Sequence, residues 1–136
     1  MNEREENKLK KRKVKPTAIR ILVLRYLMEL KTATSLIDLE NHFEKSDRST
    51  LFRTLKTFES KGIIHKIDDG TGITKYALCL ESCNCQPADQ HFHFHCEKCN
   101  QTYCLTELNV PQIDLPTNFS MLQANLVIKG VCANCN

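Results

Sequence analysis

The chain has 136 residues, enough for one domain or two small ones. No apolar run approaches the roughly 20 residues of a membrane span, and the charged N-terminus lacks an apolar signal core. A cytoplasmic protein without membrane contacts is expected. The net charge of +3 is unevenly spread: residues 1–80 hold 17 of the 19 Lys and Arg against 11 of the 16 Asp and Glu, while residues 81–136 hold 2 against 5. A basic half and an acidic, cysteine-rich half suggest two jobs.

In chain order, residues 1–15 carry a basic run of Lys8, Lys10, Lys11, Arg12, Lys13 and Lys15. It reads as a solvated tail or as an arm that contacts phosphates. Pro16-Thr17 marks a helix entrance, and Ile19, Leu22, Val23, Tyr26, Leu27 and Leu30 follow a helical period. Ser35-x-x-Asp38 is a capping box that opens a second helix, with Leu36, Leu39 and Phe43 facing inward. Ser46 or Asp47 caps a third helix, which runs to about Lys61 and is stopped by Gly62.

That third helix has two unlike faces. Leu51, Leu55 and Phe58 project to one side, and Ser49, Phe52, Arg53 and Lys56 to the other. The second face offers a hydroxyl, an aromatic edge and two cations, groups suited to phosphates and base edges, although most such faces are simply solvated. Two β-rich runs, around 63–67 and 73–78, flank an Asp-Gly turn and predict a hairpin. Three helices followed by a hairpin is the order of a winged helix-turn-helix, and the basic charge points the same way, to duplex DNA.

Residues 79–90 have no periodicity and read as a linker, with Cys79, Cys83 and Cys85 in it. His91, His93 and His95 then alternate with Phe92 and Phe94, the period of a strand with one imidazole face and one aromatic face. Thr102 to Leu105 reads as a returning strand and Met121 to Val131 as a last one.

Eight cysteines in a cytoplasmic chain favour metal over disulfides. Cys96-x-x-Cys99 and Cys132-x-x-Cys135 lie 32 residues apart. Two such turns can close a tetrahedral shell of four thiolates around a structural Zn²⁺. A disulfide pair or a redox dithiol is the alternative, and nothing in the chain suggests export to an oxidising compartment.

The stretches 47–55 (DRSTLFRTL), 62–67 (GIIHKI), 75–78 (KYAL), 91–99 (HFHFHCEKC) and 132–135 (CANC) together resemble the ferric-uptake-regulator (Fur) family of bacterial metal-sensing repressors. The likeness runs over residues 16–136. It implies an α+β chain with an N-terminal winged helix-turn-helix over 1–80, a hinge over 81–90 and a small α/β dimerisation domain over 91–136. It also implies a homodimer on a palindromic operator and a regulatory metal site at the hinge. Phe52-Arg53 stands where the family usually has Tyr-Arg, so the third helix resembles its recognition helix. The DNA-contacting set is then Lys15, Arg20, Ser49, Phe52, Arg53 and Lys56.

His91 and His93 fit the family's histidine pair, whereas Ala33, Ala77 and Cys104 stand where a His and two Glu are common. His65 and Cys79 are similar to the His and Cys of zinc-uptake regulators. The expected regulatory set is His65, Cys79, His91, His93 and Cys104, a nitrogen and sulfur shell softer than Fe²⁺ prefers. Two departures stand out. Asn100 replaces the usual Gly after the second cysteine and can still take a left-handed turn conformation. Segment 106–120 is too short and proline-rich for the family's long helix, so dimerisation should rest mostly on strands.

The chain is therefore expected to be a zinc-responsive repressor of metal-uptake genes. The alternatives are an iron- or peroxide-responsive regulator of the same family, or a zinc-knuckle interaction module without DNA binding. An enzyme is disfavoured, because a catalytic zinc needs an open ligand position beside a general base and no such pattern is evident.

Overall fold

The computed structural model describes residues 2–78, 92–105, 108–122, 124 and 126–136, which form four helices and five strands. The first helix was not expected. α1 (Glu3–Lys11) takes the place of the solvated tail that the basic run also allowed. Its first turn holds Glu3, Glu5 and Glu6 and its last Lys8, Lys10 and Lys11, charges that complement the helix dipole. Leu9 is fully buried, and Arg25 donates to Glu5 (3.4 Å) and to Asn2. A single leucine makes no periodic stripe, so the helix cannot be read as amphipathic from local sequence.

α2 (Ala18–Glu29) begins at Thr17, whose side chain accepts from the Arg20 amide. Its buried residues are Ile21, Val23, Leu24 and Leu27, whereas Leu22, expected inside, is 44% exposed. The helix is apolar around most of its circumference and packs on α1, α4 and β2, so its neighbours choose the buried side. α3 (Leu36–His42) opens with both halves of the capping box: the Asp38 amide donates to Ser35 Oγ and the Ser35 amide to Asp38 Oδ2, each at 3.2 Å. α4 (Arg48–Ser60) is capped by Asp47, which accepts from the Thr50 amide. Leu51, Leu55 and Phe58 are fully buried and anchor the core with Leu24 and Leu39. Burial of each is worth roughly 1.5–3 kcal/mol.

β1 (Ile64–Asp68) and β2 (Thr74–Leu78) form the antiparallel hairpin, with His65 opposite Ala77. Tyr76 also pairs with Thr34 through two backbone hydrogen bonds of 2.8 and 2.7 Å, which tie the hairpin to the α2–α3 connection.

The C-terminal part is a three-stranded sheet of β3 (Phe92–Cys96), β4 (Thr102–Leu105) and β5 (Val127–Gly130) in the order β4-β3-β5. β4 returns antiparallel to β3, and Asn100 takes the left-handed conformation in the turn (φ 61°). β5 runs parallel to β3, with Gly130 opposite Cys96, and so carries Cys132 towards the first cysteine pair. Among the described residues 108–122 there is no helix.

Candidate metal centres and DNA-facing helix

Each C-x-x-C lies at a chain reversal: Cys96-Cys99 between β3 and β4, and Cys132-Cys135 just after β5. The pairing of β3 with β5 brings the two turns together, and the four sulfurs lie within 4.8 Å of one another. Cys99 and Cys132 Sγ are 3.8 Å apart. Tetrahedral zinc with bonds of about 2.3 Å has sulfurs about 3.8 Å apart, so the donor set fits that ion. Amides of Cys99 and Cys132 donate to Cys96 Sγ at 3.5 and 3.4 Å and hold its thiol down to about 6. The sulfurs also repel one another's charge. The Cys132 and neighbouring thiols push Cys135 up to about 12. A divalent cation would relieve that repulsion.

A second cluster lies where the hairpin meets the C-terminal sheet. His65 comes from β1, His93 from β3 and Cys104 from β4, directly opposite His93. One donor atom from each lies within 4.8 Å of the other two. Cys104 Sγ is 3.9 Å from His65 Nε2, and the two imidazole centroids are 5.7 Å apart. Burial pushes the Cys104 thiol up to about 11. Cys79 and His91, named with this set, lie outside the described residues, as do Cys83 and Cys85. Ala33 and Ala77 supply no donor side chain. Ala33 instead donates its amide to the Thr102 carbonyl at 2.7 Å, joining the α2–α3 connection to β4.

Ser49, Phe52, Arg53 and Lys56 all lie on the exposed side of α4. Arg53 Nε donates to the Ser49 carbonyl at 3.3 Å, and Lys56 Nζ sits 5.3 Å from the Phe52 ring centroid. Both contacts order long side chains before any partner arrives. Lys15 is exposed, and its carbonyl accepts from Arg20 at 3.0 Å. These two precede or begin α2, away from the α4 face in sequence.

Sequence reasoning missed Asp69 and the role of His95. Asp69 is fully buried at the hairpin turn, although Asp-Asp-Gly signals only a turn. Its oxygens accept from Thr71, Lys75 and Thr102, and His95 Nδ1 is 3.4 Å away. No local pattern marks a turn aspartate as buried, because the covering group comes from β4.

The sequence model of the Ferric uptake regulator family matches residues 11–128. No curated protein matches the chain in sequence. Among solved structures, a zinc uptake regulator complexed with zinc and DNA is 20% identical with a TM-score of 0.66, the alignment covering 98% of this chain and 91% of that one. The Vibrio cholerae ferric uptake regulator is 16% identical with a TM-score of 0.63, covering 93% and 98%. The Pseudomonas aeruginosa ferric uptake regulator with manganese is 18% identical with a TM-score of 0.62, covering 95% and 98%. At these identities the likeness is one of fold.

Proposed function

The chain belongs to the ferric uptake regulator family, whose members are metal-responsive DNA-binding transcription regulators and not enzymes; from that premise we propose that it is a zinc-responsive repressor of metal-uptake genes, acting as a homodimer on a palindromic operator. The observation that carries the zinc reading is the meeting of His65, His93 and Cys104 across the junction of hairpin and C-terminal sheet. Two imidazoles and a thiol suit Zn²⁺ better than Fe²⁺, which favours carboxylate-rich shells. Cys79 follows β2 by one residue and His91 precedes β3 by one, so either is a candidate fourth ligand.

His65, His93 and Cys104 would hold the regulatory ion, and Cys96, Cys99, Cys132 and Cys135 a structural one. When bound, the regulatory ion supplies a cross-link between the hairpin and the C-terminal sheet. The chain's own residues do the rest. β1 and β2 carry α4 with them through the shared core, so the angle at the junction sets where Ser49, Phe52, Arg53 and Lys56 face. In a dimer, that angle determines whether two α4 helices match successive major grooves, about 34 Å apart. Without the cross-link the competent angle is less populated, and apparent affinity falls by the fraction of molecules that hold it.

The test is operator binding at buffered free Zn²⁺, Fe²⁺ and Mn²⁺, with a chelator mild enough to spare the four-cysteine site. Zinc should activate binding, and His65→Ala or Cys104→Ser should abolish the activation. Binding that is equally tight with and without the chelator overturns the metal switch. Activation by iron or manganese alone overturns the zinc assignment and leaves the family membership standing.

A further inference from the structure

The cluster of His65, His93 and Cys104 has a neighbour built on the same hairpin and the same two strands of the C-terminal sheet. Four residues beyond His65, one past the end of β1, is Asp69. Two residues beyond His93 on β3 is His95. Two residues before Cys104 on β4 is Thr102. The strand register pairs His93 with Cys104 and His95 with Thr102. The junction therefore has two rungs, each drawing one group from the hairpin, one from β3 and one from β4.

The second rung is closed by protein groups alone. Thr102 Oγ1 donates to Asp69 Oδ2 at 2.7 Å, and Lys75 Nζ donates to the same oxygen at 3.1 Å. Thr71 donates to Asp69 Oδ1 through its amide at 3.1 Å and its hydroxyl at 2.6 Å. His95 Nδ1 lies 3.0 Å from Thr102 Oγ1. The threonine has one hydroxyl proton, and it is spent on the carboxylate. His95 must therefore donate to Thr102 from Nδ1. Asp69, His95 and Thr102 are buried, and the Lys75 ammonium stands where a cation would otherwise be required. Thr102 is also held through its carbonyl by Ala33.

We propose that Asp69, Thr102, His95 and Lys75 form a metal-independent clasp that holds the hairpin against the C-terminal sheet in the register at which His65, His93 and Cys104 converge, so that Thr102 and Asp69 are positioning residues for the regulatory site. The clasp rests on the function proposed above only for its consequence, tighter metal capture. Its existence does not depend on metal. A preset register spares the ion the cost of ordering the junction, and whatever loosens the clasp lowers metal affinity without touching a ligand.

The test uses the full-length protein with zinc in the four-cysteine site and none at the regulatory site. Two substitutions separate hydrogen bonding from packing. Thr102→Val keeps the branched shape and removes the hydroxyl, whereas Thr102→Ser keeps the hydroxyl and removes the methyl. Amide hydrogen exchange is followed over residues 64–78. Thr102→Val should speed exchange there by roughly tenfold or more, the loss of one hydrogen bond to a charged group. Thr102→Ser should stay near wild type. Regulatory Zn²⁺ affinity, read by chelator competition, should drop by a similar factor in the valine variant only, while the Co²⁺ spectrum at saturation keeps its shape. Unchanged exchange in Thr102→Val, or exchange as fast in Thr102→Ser, overturns the clasp. Faster exchange with unchanged metal affinity overturns its positioning role. A wild-type protein that takes up no second metal overturns the proposed function, and the exchange comparison still decides the clasp.

Discussion

Cys104 shows packing and chemistry opposed in one side chain. Burial raises its thiol to about 11, so at neutral pH it carries a proton that any metal must displace. Regulatory Zn²⁺ affinity should therefore rise about tenfold per pH unit between roughly pH 7.5 and 9, below the range in which the Cys104 thiol ionises by itself. Chelator competition across that range checks the slope, and Cys104→Ser should flatten it. Asp69 is the opposite case. Burial alone would push its carboxyl up, but hydrogen bonds from Thr71, Thr102 and Lys75 outweigh it and hold the group well below the usual carboxylate range. A depressed folded value means that its contribution is complete above about pH 4 and is lost as pH falls further. Asp69→Asn should cost about 3 kcal/mol at pH 7, the scale for breaking a buried pair. Denaturant unfolding should show the gap to wild type narrowing below pH 4.

At the scale of elements, α4 divides its labour by face. Leu51, Leu55 and Phe58 root it in the core, and Arg53 and its exposed neighbours are free of structural burden beyond their own helix. Arg53→Ala should weaken operator binding by roughly tenfold or more, the value of a good base contact, while leaving the unfolding midpoint in place. α1 makes a different claim on stability. Leu9 is sealed within the core although the surrounding residues are nearly all charged. Leu9→Ala should lower unfolding free energy by about 2–5 kcal/mol. A solvated tail would show no change, so urea unfolding separates the two descriptions of residues 3–11. The capping box at Ser35, the cap at Asp47 and the left-handed turn at Asn100 are all local in origin, and all were legible from short windows of sequence.

For the whole molecule, the basic charge is concentrated in the half that carries α1 to β2 and the cysteine pairs in the half that carries β3 to β5. Binding to duplex DNA should lose affinity steeply with salt, with a slope near −0.9 for each phosphate neutralised. Titration at several salt concentrations checks this. The two halves meet at Ala33–Thr102, Asp69–Thr102 and the His65, His93, Cys104 cluster, all within one small junction. Coupling between metal and DNA therefore has a short physical route, through the hairpin and the core it shares with α4.

By itself the sequence determined what depends on spacing along the chain: helical periods, caps, the Asp-Gly turn, the strand alternation of His and Phe, and two C-x-x-C turns. Those features are local, so a window of ten or so residues contains their cause. It also carried the family likeness, because the motifs keep their order. Tertiary structure alone decided what depends on contacts between distant segments. It chose the buried side of a largely apolar α2, enclosed Leu9 in a charged stretch and buried Asp69 under Thr102. It also set Cys104 opposite His93 and within reach of His65. Such choices depend on which surface arrives to cover a residue, and that surface is encoded tens of residues away.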